Sequence, residues 1–203
     1  MKYPDFYDAV PAIRLRDPLA AMLGAAADGI IDYVYLDAVK LAGHSCPTVA
    51  SAYWLIRQAL LALYGEVPPE RGGVRVEFAG DIAEGVTGVI ANVASMLTGA
   101  AGDGGFKGLG GRFTRRGLLS FHADIPLAVR FTRLDGQGRI DAQANPGRVP
   151  AHPEMGLLMQ RCQSEAASAD EVRQFGALWQ DRVRRILLDH GADADVFVLR
   201  RSG

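Results

Sequence analysis

The stretch LAGHSCPTVASAYWLIRQAL, residues 41–60, places a histidine and a cysteine just before a proline and a long apolar run. Proline fits the first turn of a helix because the N–H group it lacks would have no partner there. Pro47 therefore predicts a helix start with Cys46 as the N-cap or its neighbour. The apolar residues that recur at helical spacing are Val49, Tyr53, Ile56, Leu60 and Leu63. The pattern predicts a long core helix over residues 47–64, with His44 and Cys46 at its amino end.

Hydropathy patterns on both sides of this helix predict further helices mixed with antiparallel strands. Helices are expected at 18–23, 36–41 and 84–97, and two more over about 152–190, the second opened by a capping box at 168–171. Strands are expected at 30–35, 74–78, 118–121, 127–134, 139–144 and 195–200, with a hairpin turn at 135–138. No repeat or linker divides the 203 residues. The sequence therefore predicts one α+β domain, an antiparallel sheet packed against helices.

Composition argues against several classes of protein. Lys and Arg number 22 against 23 Asp and Glu, which argues against a nucleic-acid-binding protein and against electrostatic attachment to a membrane. Residues 1–10 lack the apolar core of a secretory signal, and the uncharged run 85–102 is too interrupted for a membrane span. Two cysteines, Cys46 and Cys162, are too few for a disulfide scaffold, so we expect reduced thiols and a cytoplasmic location.

His44 and Cys46 are the first candidate site. A helix start carries unpaired N–H groups and partial positive charge, and both favour a thiolate at Cys46. The His-x-Cys spacing lets both side chains reach one ion, and imidazole with thiolate selects zinc or a similar soft-to-borderline metal. Catalytic zinc usually has three protein ligands, for which the sequence offers Asp81, Glu84 and His122. A strand pattern before His122 could turn its side chain inward. The alternative is that Cys46 is only a small buried hydrophobe.

The glycine-rich segment TGAAGDGGFKGLGG, residues 98–111, is the second candidate. Its spacing matches neither a phosphate-binding P-loop nor a dinucleotide-binding turn. Glycines nevertheless let a backbone approach a ligand closely or change shape. We therefore expect residues 99–111 to close over His44 and Cys46, with Lys107 facing an anionic ligand. The alternative is a loop that turns the chain and leaves Lys107 solvated.

The motif GHSCP, residues 43–47, resembles the Gly-His-x-Cys-Pro signature of the FmdE-like family of formylmethanofuran dehydrogenase components. The segment DIAEGVTG, residues 81–88, is similar to that family's Asp-to-Thr-Gly stretch. The segment MGLLMQRCQSEAASADEVRQFGALWQDRVRRILLD, residues 155–189, is similar to the pair of helices that closes the family's core. Many members carry extra cysteines near the second motif and a C-terminal zinc finger, and this sequence has neither. The expectation is a divergent member that consists of the core alone.

The resemblance implies a dimeric α+β core with a cavity that often holds a metal. Carried over to this sequence, it makes His44 and Cys46 the metal ligands and places Asp81 and Thr87 in the wall of the same cavity. The family name says little about a reaction, because fold and function are only loosely linked.

Three functions fit these expectations. The leading hypothesis is a metal-binding homodimer, with zinc as the expected ion and with a small-molecule ligand of one-carbon, pterin-type or redox metabolism if it is an enzyme. A second is a non-catalytic binding or carrier module for a metal or for haem, because histidine and thiolate both ligate haem iron. A third is a metal-free enzyme in which His44 is the base and Cys46 the nucleophile. Cys162, with Leu158 one turn before it, is expected to be structural.

Overall fold

The structure, a computed structural model, describes residues 2–202 as six α-helices and seven strands. The helices are α1 (Pro18–Met22), α2 (Tyr35–Ala42), α3 (Pro47–Tyr64), α4 (Thr87–Thr98), α5 (Met155–Gln163) and α6 (Ala169–Arg184). The strands are β1 (Ile13–Arg16), β2 (Ile30–Tyr33), β3 (Val74–Phe78), β4 (Leu119–Ser120), β5 (Val129–Arg133), β6 (Arg139–Ala144) and β7 (Phe197–Arg201). Helices and strands thus come in irregular order, as expected of an α+β protein.

The strands form two sheets. Strands β1 and β2 make an antiparallel pair, and the larger sheet has the order β4-β3-β5-β6-β7. All neighbours in the larger sheet are antiparallel except β3 and β4. Helix α3 packs across β5 and β6, while α2 and α4 pack against α3. This arrangement confirms the predicted α+β class with an antiparallel sheet against helices.

Helix α3 is the centre of the core. Tyr53 and Ile56 are fully buried, and Leu60 is buried on the same helix one turn later. A helix that is apolar nearly all round is stable only when other elements surround it. The Tyr53 hydroxyl lies 3.0 Å from the carbonyl oxygens of both Pro11 and Tyr33, so the one polar group of this side chain is hydrogen-bonded. The helix predicted over residues 47–64 is confirmed at both ends.

The helix starts follow the capping residues. Asp17 caps α1 by accepting from the Leu19 and Ala20 N–H groups, and Ser168 caps α6 in a capping box with Glu171. The sequence predicts that helix α4 begins at Glu84, but the helix begins three residues later. The reason is a turn over residues 81–85, in which Gly85 adopts a left-handed conformation at φ +55° that does not fit a right-handed helix.

A buried ion cluster joins α1 to the chain on either side of α4. Asp17 is 5 % exposed, and its carboxylate lies 2.7 Å from Arg71 Nη1 and 2.8 Å from Arg115 Nη2. Arg71 also donates from Nε to the Leu97 carbonyl and from Nη2 to the Met96 carbonyl. The cluster thereby fixes the carboxyl end of α4 next to α1. Within residues 2–202, no helix is both long and apolar enough to cross a bilayer.

Candidate functional site

The His44–Cys46 segment is the connection between α2 and α3. Gly43 ends α2 in the left-handed conformation at φ 76°, which allows the chain to turn sharply. Cys46 is extended at φ −146° and ψ 167°, and its Sγ accepts from the Val49 N–H at 3.5 Å. Pro47 occupies the first helical position. The predicted N-cap role of Cys46 is therefore confirmed, and its thiol lies at the amino end of the core helix.

Ser45, between the two candidate ligands, anchors this connection to α6. Its hydroxyl donates to Gln180 Oε1 at 3.0 Å, and the Tyr35 hydroxyl lies 2.8 Å away on its other side. Its carbonyl accepts from Trp179 Nε1 at 2.9 Å and from Gln180 Nε2 at 3.2 Å. Ser45 is almost fully buried. These four contacts hold the backbone of its two neighbours, His44 and Cys46, in one position.

The His44 ring is exposed at one end and hydrogen-bonded at the other. Its Nδ1 lies 3.0 Å from the Ala42 carbonyl oxygen, which can only accept a hydrogen bond. Nδ1 therefore carries the proton, and in the neutral ring Nε2 keeps a free lone pair. The ring lines a pocket of about 200 Å³ between α2 and α4, together with Leu41, Ala42, Val89, Asn92 and Val93. Metal-binding histidines are commonly held through the other ring nitrogen in this way.

The phenol hydroxyls of Tyr35 and Tyr7, which belong to the hydrogen-bond cluster around Ser45, are not ionised at neutral pH. Burial raises the pKa of Tyr35 well above its ordinary value, although the hydrogen bond with Ser45 opposes this. Burial also raises the pKa of Tyr7, which faces Gln180 in the same cluster. Both phenols therefore stay protonated and serve as hydrogen-bond donors that order the loop.

The DIAEGVTG motif folds into a tight turn before α4. Asp81 accepts from the Ala83 N–H at 2.7 Å, and its own N–H donates to Glu84 Oε2 at 3.2 Å. A side chain at Gly80 would come within 2.8 Å of Glu84 and 3.3 Å of Thr87, so both residues lie against this glycine. The Ala83 N–H and then the contact with His122 hold the pKa of Asp81 below its ordinary value. Asp81, Glu84 and Thr87 are thus neighbours at the start of α4.

The sequence predicts that the side chain of His122 points inward, but in the structure it lies at the surface. Its Nε2 lies 2.8 Å from Asp81 Oδ2, and its side chain is 70 % exposed. Strand β4 ends two residues earlier, and His122 has φ 59°, so the alternation of the strand no longer controls its direction. The structure brings His122 to Asp81 at the start of α4.

The imidazole of His44 and the thiol of Cys46 fit a thiophilic metal, but the two residues supply only two ligands. Among residues 2–202, no three His, Cys, Asp or Glu side chains are grouped so that they could hold an ion. The predicted ligand set of His44, Cys46 and His122 is therefore not assembled within one chain. A metal at His44 and Cys46 would need ligands from water or from another molecule.

Lys107 and the glycine-rich loop lie towards the other end of α4. His44 faces Val89 and Asn92 near the start of this helix, whereas the loop begins at Gly99, just after its last residue. A helix of 12 residues is about 18 Å long, which separates the two ends. No residue of 99–111 lines the His44 pocket. Lys107 is exposed, and its carbonyl accepts from the Thr114 hydroxyl at 3.2 Å.

An apolar groove lies between α5 and α6 on the other side of Ser45. It has a volume of about 510 Å³ and is lined by Met159, Cys162, Gln163, Phe175, Gly176 and Trp179. Trp179 is also the residue whose indole N–H donates to Ser45. The groove therefore shares one side chain with the connection that carries His44 and Cys46. Cys162 is a free, half-buried thiol in this groove.

Several residues of the site carry no local signal in the sequence. Ser45 stands between two more conspicuous residues, and its partners Trp179 and Gln180 lie on a helix more than 130 positions away. Only the amphipathic pattern of α6 indicates that one face of this helix is buried. Which residues it contacts is decided by the tertiary fold.

Comparison with known proteins adds no family assignment. No protein-family model matches this sequence, and no curated protein matches it. The resemblance to the FmdE-like family accordingly rests on the three motifs themselves.

Proposed function

We propose that this protein binds a soft-to-borderline metal ion, with zinc as the expected ion, through His44 Nε2 and Cys46 Sγ. The observation that carries the proposal is the hydrogen bond from His44 Nδ1 to the Ala42 carbonyl, because it leaves Nε2 as the free nitrogen. Cys46 supports it, since its Sγ lies at the amino end of α3, two residues from His44. Ser45 keeps the two donors two residues apart on an ordered backbone.

The remaining coordination positions would be filled by water or by a second copy of the chain. An open position is what a metal enzyme needs to activate water or hold a small substrate. The GHSCP and DIAEGVTG motifs support the same assignment. We propose that the chain is a divergent member of the FmdE-like family, in which Asp81 and Thr87 would face the metal cavity.

Zinc titration against a chromophoric chelator tests the proposal. The parent should bind zinc saturably. His44→Gln and Cys46→Ser should each weaken binding by more than about 100-fold, because loss of a metal ligand lowers the affinity at least as much as loss of the group that orients it. Serine is a good N-cap, so Cys46→Ser should keep the fold, which a melting curve checks. Cys162→Ser is the matched control. Parent-like zinc affinity in Cys46→Ser would contradict the proposal.

A second candidate function is that of a haem or metallocofactor carrier. The observation that favours it is the apolar groove between α5 and α6, which shares Trp179 with the His44–Cys46 connection. A large apolar ligand in the groove would contact Trp179, and His44 and Cys46, which do not line the groove, would supply the iron ligands from the adjoining connection. Titration with hemin should then give a shifted absorption band and quench Trp179 fluorescence. A band that persists unchanged in both His44→Gln and Cys46→Ser would contradict this function.

A further inference from the structure

A second pocket, remote from His44, is lined by arginines. It has a volume of about 500 Å³ and lies between the β1–α1 junction and the segment that follows the glycine-rich loop. Its walls are Arg16, Pro18, Glu70, Arg71, Gly72, Gly111, Arg112, Phe113, Thr114, Arg115 and Leu134. This volume is within the range of small-molecule sites.

The charges at this pocket do not balance. Arg16 lies 3.3 Å from Glu70, the one carboxylate in the wall, and Asp17 behind the wall serves both Arg71 and Arg115. Arg112 has no ion pair within residues 2–202, and its guanidinium lies 4.8 Å from the centre of the Phe113 ring. Four guanidinium groups thus face two carboxylates. The surplus of positive charge favours an anion.

Arg115 is the most deeply placed of the four. Its side chain is 9 % exposed, and its Nη2 is bonded to Asp17, but its Nη1 has no hydrogen-bond partner within the described chain. A side chain at Gly72 or at Gly99 would come within 2.7 Å of Nη1, so two glycines leave space for this group. Burial lowers the pKa of Arg115 and Asp17 opposes that effect, so the group remains a cation at neutral pH. Because Nη1 is covered by its neighbours, Arg115 contributes positive charge at the base of the pocket rather than a free donor to a ligand.

Backbone N–H groups at the rim add free donors to the pocket. The amides of Gly111, Phe113 and Thr114 have no acceptor among residues 2–202, although all three residues line the pocket. Phe113 has φ 63°, a conformation that is rare for a side chain of this size and that sets the backbone of this rim. Free amides next to guanidinium groups are the donors that bind phosphate oxygens in proteins.

We propose that this pocket binds a small molecule through a phosphate or diphosphate group. A phosphate ester carries about −1.5 to −2 charges at neutral pH, which suits the surplus of guanidinium groups. Arg112 is free to form a bidentate contact, and Arg115, held by Asp17, adds positive charge at the base of the pocket. The site is independent of the proposed metal site, because it adjoins the carboxyl end of α4 and His44 faces the other end.

Calorimetry with inorganic phosphate and with pyrophosphate, at low ionic strength, tests this site. The parent should bind pyrophosphate saturably, and Arg112→Gln should weaken binding by about tenfold or more through loss of one charge-assisted contact. Arg112 makes no ion pair or hydrogen bond through its side chain within the described chain, so the substitution leaves the fold intact. Arg148→Gln is the matched control, since Arg148 is also exposed and unpaired among the described residues.

Three results would overturn the proposal. The first is absence of saturable pyrophosphate binding by the parent. The second is parent-like affinity in Arg112→Gln. The third is an equal loss in Arg148→Gln, because general attraction to a cationic surface would then explain the binding. Zinc binding at Cys46 is measured separately, so the two sites can fail independently of each other.

Discussion

The buried carboxylate of Asp17 has three roles. It caps α1, it neutralises Arg71 and Arg115, and it places both arginines beside the proposed anion pocket. A buried ion pair gives little net stability over an apolar pair, but removal of one partner leaves the other charge uncompensated. Loss of the Asp17 charge would leave two such cations.

Asp17→Asn should therefore lower the free energy of unfolding by about 3–5 kcal/mol. The amide can still cap α1, so most of the loss comes from the unpaired arginines. Urea unfolding at pH 7 measures it. Asp32→Asn is the control, because Asp32 pairs with Arg14 on the surface, where an ion pair contributes about 0–1 kcal/mol. A loss in Asp17→Asn no larger than that of the control would contradict the prediction.

Single residues were predicted well where their own type carried the signal. Cys46 precedes a proline and is an N-cap in line with the prediction, and Asp17, which also precedes a proline, is the N-cap of α1. Arg112 and Arg115, which line the proposed anion pocket, were not predicted, because Lys107, inside the glycine-rich loop, is the more conspicuous cation. The sequence GRFTRR, just after the loop, was the available signal. That Asp17 meets Arg115 depends on the tertiary fold and cannot be seen in local sequence.

Among the elements, helices with explicit start signals were predicted to within a residue, and strands less well. Strand β4 covers only two residues of the predicted 118–121. The hairpin of β5 and β6 was predicted from its turn, since residues 135–138 join strands that pair directly. The parallel pairing of β3 and β4 and the central place of β5 were not, because contacts between distant segments determine them.

The β5–β6 pair contains a second buried carboxylate with a consequence for acid stability. Asp141 is fully buried and accepts from Arg130 Nε at 2.7 Å and from Arg130 Nη2 at 3.0 Å. Burial raises the pKa of Asp141, but hydrogen bonds from Arg130 and Ser202 bring it below its ordinary value. The folded carboxyl is thus the stronger acid, so its stabilisation is complete above about pH 4 and is lost below it.

Asp141→Asn should destabilise the protein by about 3 kcal/mol at pH 7. The difference from the parent should be smaller at about pH 3, because the unfolded parent is then largely protonated at this carboxyl. Urea unfolding at both pH values gives the two differences. Asp103→Asn, at an exposed position without an ion pair in the described chain, should match the parent at both. A difference that stays constant with pH would count against the role of Asp141.

At the scale of the whole molecule, the surface next to His44 is unusually apolar. Leu41, Ile82, Val86 and Val89 are all exposed by a third or more, and Leu41 and Val89 line the His44 pocket. Contiguous exposed apolar side chains are typical of protein interfaces. We propose a homodimer that covers this surface, which would also bring a second copy's ligands towards the metal site.

Light scattering should accordingly give the mass of two chains in dilute solution. Val89→Asp should shift the mass to that of one chain, because an unpaired charge at an apolar interface is costly. Val67→Asp is the control, since Val67 is exposed and lies on a different loop. A one-chain mass for the parent at every concentration would exclude the dimer.

The ion pairs around Asp17 can form only some time after Asp17 itself has been synthesised. Arg71 follows Asp17 by 54 positions and Arg115 by 98 positions. At roughly 5–20 residues per second, a ribosome needs about 5–20 s to reach Arg115 after it has made Asp17. Until residue 71 is made, the carboxylate has neither of its final partners, and from then until residue 115 is made it has only Arg71. The first helix therefore acquires its complete set of ion-pair partners only after Arg115 has been translated.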